Sequence, residues 1–137
     1  MISENGIALV ESSEGFSSTV YLDSAGLKTI GWGHKLTDGE TFSNGITQEE
    51  AEEILKSDLS IADAAVSRLV PGANQNQHDA LCDFCFNLGS GSLAMLIAHG
   101  FDQIPAQLPR WVYAGGVVQS GLVRRRAAEV ELFNKEV

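Results

Sequence analysis

The chain has 137 residues, 44% of them hydrophobic, 7% aromatic and 20% charged, which is enough for one ordinary core and too few for a second independent domain. Nine Lys and Arg against eighteen Asp and Glu leave a net charge of -9, and this argues against nucleic acid as a partner, because phosphate binding needs local cation density. The longest apolar stretch, Leu93 to Ala98, falls far short of the roughly 18 residues of a membrane-spanning helix. Met1-Ile2-Ser3-Glu4-Asn5 has neither a basic nor an apolar signal region, so synthesis without a signal peptide and first residence in the cytoplasm are expected.

Ser3 is a candidate cap for a first helix carrying Ile7, Ala8, Leu9 and Val10, which leads to Glu14 and is stopped by Gly15. Two β-favouring runs follow, Ser17 to Leu22 and Lys28 to His34, joined by the turn formers Asp23-Ser24-Ala25-Gly26; they predict a small antiparallel hairpin. A loop with Thr37-Asp38-Gly39 and Ser43-Asn44-Gly45 precedes Thr47-Gln48-Glu49-Glu50, a capping box that opens a helix to about Val70, stopped by Pro71-Gly72. Helices are then predicted over 75–88, over 92–99, in a Pro-interrupted segment from about Pro105 to Tyr113, and over about 120–135. The pattern is α+β: a single domain over 1–137, with an N-terminal helix and β lobe (1–46), a linking helix (47–70) and a helical lobe (71–137), and a cleft between the lobes.

Candidate chemistry gathers where the first helix meets the hairpin. Glu14 sits at the negative end of a helix dipole, and with Phe16 and the hairpin to shield it from water it is equipped to carry the proton of a general acid. Asp23, at the head of a turn, can accept hydrogen bonds from the amides that follow it, which favours its charged form. Two carboxylates set apart in this way are the equipment for cleaving an acetal. By the period of two, Thr29, Gly31 and Gly33 are predicted to share one strand face, where a sugar could approach the bare backbone. Each feature alone is commonplace: a solvated helix end, an ordinary turn, a Gly-Trp-Gly with no site attached. Their joint spacing is not.

Glu14, eight residues, Asp23, five residues and Thr29, within Glu14-Gly15-Phe16, Tyr21-Leu22-Asp23-Ser24-Ala25-Gly26 and Thr29-Ile30-Gly31-Trp32-Gly33-His34, resemble the signature of phage-type lysozymes, endolysins that hydrolyse peptidoglycan. Ala80 to Gly89, Trp111 to Gly116 and Gly121 to Glu129 are similar to helical-lobe blocks of that family, in the same order. The resemblance implies a lysozyme-like fold, Glu14 as general acid, Asp23 as base or electrostatic stabiliser, and Thr29 as the hydroxyl that positions water. It also implies substrate contacts at Gly31, Gly33 and His34, a His34–Asp58 ion pair between the lobes, and cleavage of the β-1,4 bond between N-acetylmuramic acid and N-acetylglucosamine. No metal or cofactor is implied; inversion at the anomeric carbon, a monomer, and release to the wall through a holin are. Two departures stand out: the segment from Gly91 to Trp111 is short and contains Pro105 and Pro109, and the protein is acidic where wall-lytic enzymes are commonly basic.

Cys82 and Cys85, with His78 on the same predicted helix, imitate a metal cluster, but small core thiols are the expected role. Arg124, Arg125 and Arg126, with Arg110, form the basic concentration of the chain and are expected to pair with acids near the cleft or to meet the wall. Alternatives of other classes are a glycan-binding lysozyme-like protein without turnover, and a lytic transglycosylase or chitinase-like enzyme. A transglycosylase would need neither Asp23 nor Thr29.

Overall fold

The computed structural model describes residues 1–137. In chain order the elements are α1 (Glu4–Glu14), β1 (Ser17–Leu22), β2 (Lys28–Gly31), β3 (His34–Lys35), α2 (Gln48–Leu69), α3 (Gln75–Leu88), α4 (Ser90–Ile97), the short α5 (Ile104–Gln107) flanked by single 3₁₀ turns, β4 (Tyr113–Ala114), β5 (Val117–Val118) and α6 (Ser120–Asn134). Strands β1, β2 and β3 form an antiparallel sheet in that order, and β4 and β5 form a separate ribbon.

The capping box at Thr47 acts as expected. Thr47 Oγ1 accepts the Glu50 amide at 3.1 Å while Glu50 Oε1 accepts the Thr47 amide at 3.1 Å, so α2 begins with two of its orphan N–H groups satisfied. Asn74 and Gln77 do the same for α3. Ser3 stands at the N-cap position of α1, but its hydroxyl is turned away and donates to Asp79 of α3, whose Oδ1 also accepts the Ser3 amide at 2.9 Å. The residue expected to cap a helix instead ties the chain start to the helical lobe.

Two apolar clusters lie along α2. One joins Val10, Ile30, Trp32 and Ile46 with Ala51, Leu55 and Leu59 of α2; the other joins Ala62, Ala65 and Val66 of α2 with α3, α4, Leu108 and Phe133. Ile2 and Phe86 pack against both. The 3.6-residue period thus carries one helix through both cores, one half of its length in each.

The strand prediction needs one correction. The run Lys28 to His34 is not a single strand: β2 stops at Gly31, the chain turns through Trp32 and Gly33, and His34 begins β3. Gly31 and Gly33 both have positive φ, 65° and 77°, a conformation that ends a strand and that glycine adopts without Cβ strain. Of Thr29, Gly31 and Gly33, the first two therefore keep their places two apart on β2, and Gly33 leaves the strand face. A second correction concerns the Pro-interrupted segment, which is helical only to Arg110; Tyr113 begins the β4–β5 ribbon, closed by Gly115-Gly116 at φ 60° and 77°.

Candidate active site

Glu14 closes α1, and the positive φ of Gly15 turns the chain into β1. Arg125 of α6 donates from Nη1 to Glu14 Oε2 at 2.5 Å, and the Glu14 side chain is 18% exposed. On the other side, a Cβ built on Gly33 would lie 2.5 Å from Glu14 Oε1, so the carboxyl rests on bare backbone that only glycine leaves open. Phe16 is partly open to solvent and stacks on Trp32 with ring centroids 5.0 Å apart; it forms the rim of a concavity of about 280 Å³ with Glu14, Gly15, Ser17 and Tyr21. The acid is thus gripped at one oxygen and flanked by an aromatic lip.

Arg125 is itself held by a buried fork. Its Nε and Nη2 donate to Asp83 Oδ2 and Oδ1 at 3.0 and 2.9 Å, a bidentate pairing with a side chain that is fully buried on α3. Burial opposes ionisation of Asp83, yet its contacts with Glu129 and Arg125 outweigh burial and hold it below its ordinary value. Beside this pair, Arg126 lies across the Phe84 ring, meets Glu129 at 2.7 Å and donates to Asn87 Oδ1 at 2.8 Å. Of the four arginines expected to pair with acids near the cleft or to meet the wall, Arg125 and Arg126 are interior and paired with acids, and Arg110 and Arg124 are exposed.

Asp23 sits in the β1–β2 turn as the turn chemistry predicts. Its Oδ1 accepts the amides of Ala25 and Leu27 at 2.9 and 2.8 Å. Its Oδ2 meets Lys35 Nζ at 2.8 Å, a contact the sequence did not suggest. Lys35, then the Leu27 and Ala25 amides, keep the Asp23 carboxyl below the usual aspartate value.

Thr29 is fully buried on β2 and donates its hydroxyl to the Leu27 carbonyl at 2.9 Å. It faces Tyr21 across to β1 and Lys35 across to β3. Gly31 turns its Cα toward Ala51 and Ile46 in the core, where a Cβ would meet both at 3.3 Å.

His34 joins the lobes. Its Nδ1 lies 2.7 Å from Asp58 Oδ2 on α2 and its Nε2 lies 3.0 Å from Glu40 Oε1, so both ring nitrogens face carboxylates. Burial alone would lower its pKa, but the Asp58 and Glu40 contacts outweigh burial and raise it. His34 also lines a cavity of about 400 Å³ between the lobes, together with Lys35, Asp58, Cys85, Phe86 and Gly89.

The His–Cys cluster assembles differently from its spacing. His78 Nε2 meets Asp63 of α2 at 2.5 Å, with Cys82 beside them and Cys85 outside the group. Burial pushes the Cys82 thiol up, and both cysteines are buried and free.

The residues missed are Asp83 and Lys35, which reach the site from α3 and β3; for Arg125 the pairing with a cleft acid was expected, but not that its partner would be Glu14.

The fold and the site together define a two-lobed α+β protein with a carboxylate on each side of a helix-to-hairpin junction. The phage lysozyme family matches residues 11–129, and the chain belongs to that family. It is 38% identical over 146 residues to an endolysin of Lactococcus phage c2, covering 99% of this chain and 61% of that protein. It is 44% identical over 97 residues to the endolysin of Salmonella phage P22, covering 68% and 66% of the two chains. In structure it is similar to the muramidase domain of SpmX from Asticaccaulis excentricus, with a TM-score of 0.87, 30% identity, and 99% of each chain covered. The chain spans about three fifths of the length of the Lactococcus phage relative.

Proposed function

We propose that the protein is a peptidoglycan hydrolase that cleaves the β-1,4 bond between N-acetylmuramic acid and N-acetylglucosamine by general acid and base catalysis with inversion. The observation that supports this reading is the pair of carboxylates held in fixed orientations at the helix-to-hairpin junction. Glu14 is held at Oε2 by Arg125 with Oε1 against the bare backbone of Gly33, and Asp23 is held by two amides and Lys35. With Oε2 committed to Arg125, the proton that Glu14 delivers to the leaving glycosidic oxygen rides on Oε1, beside Gly33. Positive charge then develops at the anomeric carbon, and Asp23 accepts a proton from the water that attacks the opposite face.

Thr29 enters as an acceptor. Its hydroxyl hydrogen is committed to the Leu27 carbonyl and the residue is fully buried, so it can serve a water only through its lone pairs and only where the strand face opens to substrate. Gly33 offers backbone to the sugar beside Glu14. His34, with both nitrogens engaged, supports the cavity wall and the register of the lobes. Gly31, turned to the core, contributes through that packing and not by touching sugar.

No helix is long and apolar enough to cross a membrane. Action as a monomer on the wall, after passage from the cytoplasm through a holin, belongs to the same proposal.

Digestion of purified peptidoglycan followed by mass spectrometry tests the reading. Hydrolysis gives reducing muropeptides, whereas a lytic transglycosylase gives products lighter by one water, and a glycan-binding protein without turnover gives none. Nuclear magnetic resonance of the fresh product should show the α-anomer; an initial β-anomer would mean retention and remove the water-activating role of Asp23.

A further inference from the structure

Both oxygens of Asp23 are engaged, and they are engaged by different kinds of group. Oδ1 is fixed by the Ala25 and Leu27 amides of its own turn, which move with it. Oδ2 is fixed from outside, by Lys35 Nζ at 2.8 Å. Lys35 is placed there by sheet register: it lies on β3 directly opposite Thr29 of β2, which in turn lies opposite Tyr21 of β1. The same side chain lines the cavity between the lobes, next to His34, which is tied to Asp58 of α2. The Lys35 stem therefore runs from a strand anchored on the linking helix to an otherwise exposed turn.

We propose that Lys35 is a positioning residue for the reaction, pinning Asp23 Oδ2 so that the carboxylate keeps one orientation toward the attacking water. This rests on the role given to Asp23 above. A turn restrained only by its own amides can rotate as a unit; a cross-strand ammonium ties it to β3. The contact also keeps Asp23 ionised in acid solution, since Lys35 is the foremost cause of its lowered pKa, ahead of the Leu27 and Ala25 amides. Lys35 is the charged side chain that meets Asp23; the other partners are amides of the turn itself.

The test compares Lys35→Met, Lys35→Arg and Asp23→Asn in the full chain, measuring hydrolysis of soluble peptidoglycan fragments against pH at low salt. Carbon-13 titration of the Asp carboxyls runs beside it, with Asp23 assigned from its missing signal in Asp23→Asn. For Lys35→Met, kcat should fall by up to about 10²-fold, the scale of a small misplacement of a reacting group. KM should hold, and both the acid limb of the rate profile and the Asp23 titration should move to higher pH. Lys35→Arg should restore most of the loss, and added salt should move the acid limb of the parent protein up but leave that of Lys35→Met in place.

An Asp23 titration and acid limb unchanged in a folded Lys35→Met protein would overturn the proposal. A fully active Asp23→Asn protein would instead overturn the role of Asp23, with the titration still deciding whether Lys35 holds it.

Discussion

Glu14 and Asp23 are positioned by opposite strategies. Glu14 is reached from across the cleft by Arg125, which is locked to fully buried Asp83, so its orientation belongs to the interior of the helical lobe. Asp23 is held within an exposed turn by two amides and a surface lysine, so its orientation belongs to the small sheet. A buried ion pair gives a fixed geometry at the cost of desolvation, and removing one member leaves a bare charge in the interior; an exposed pair is screened and can be lost with little effect on the fold. The orientation of Glu14 is thereby coupled to the stability of the protein, and that of Asp23 is largely free of it.

That contrast can be broken most severely at Glu14. Glu14→Gln keeps the shape and a neutral hydrogen bond to Arg125 but carries no transferable proton, and lysis of purified walls should fall by about 10²- to 10⁴-fold in a protein that still folds. Near-parental lysis by a folded Glu14→Gln protein would remove Glu14 from the chemistry.

Arg125→Leu should strike fold and site together. It strands Asp83 in the interior, and urea unfolding should show a loss of about 3–5 kcal/mol. The double replacement Arg125→Leu with Asp83→Leu should recover much of that stability without recovering activity. Recovery of both would mean that Arg125 serves only the core.

His34 tests the joint between the lobes. Its folded pKa is raised, so its pairing stabilises fully below the unfolded imidazole value of about 6.5 and is lost as pH rises through the folded value. Asp58→Asn should therefore cost the most just above the carboxylate range, about 1.5–3 kcal/mol for a hydrogen bond to a charged group, and progressively less in alkaline solution. Equal destabilisation at pH 5.5 and pH 9 would show that the Asp58 contact does not depend on the imidazolium.

The smallest effect concerns encounter with the wall. With Arg125 and Arg126 interior, a net charge of -9 faces an anionic polymer with only Arg110 and Arg124 exposed among those arginines. Lysis of isolated walls should rise or stay level between about 0.01 M and 0.1 M salt, as the Debye length shrinks from roughly 30 to 10 Å. A steep fall over that range would show that local attraction governs.

What was legible in the sequence was local. The Thr47 capping box, the glycine stop after Glu14 and the amides beneath Asp23 follow from chemistry within four residues, and each appears where the sequence places it. The break at Trp32–Gly33 was harder, because alternating glycines suit a continuous strand as well as two turns of positive φ; the backbone settles this by packing Gly31 on α2 and Gly33 on Glu14. The Gly115-Gly116 turn was a readable signal, hidden by neighbouring prolines that suggested a broken helix. The charged partners of the two carboxylates were legible only in kind, as arginines near cleft acids, and not residue by residue. Arg125 lies 111 positions from Glu14, and Lys35 meets Asp23 only through strand register, which one-dimensional spacing does not encode.

Helix α2 passes from one apolar cluster to the other between Leu59 and Ala62, within a single helical turn. The smaller cluster has seven buried residues and the larger fourteen, so the sheet that carries Asp23 and Thr29 takes its order from a rod anchored elsewhere. On that difference in burial, the sheet is expected to be the subglobal unit that opens first. Backbone amides of β1 to β3 should exchange with solvent through partial openings that leave α3 and the second half of α2 protected. The protein would then spend a small part of its time folded in its larger half, with Glu14 and Asp23 parted before the molecule as a whole unfolds.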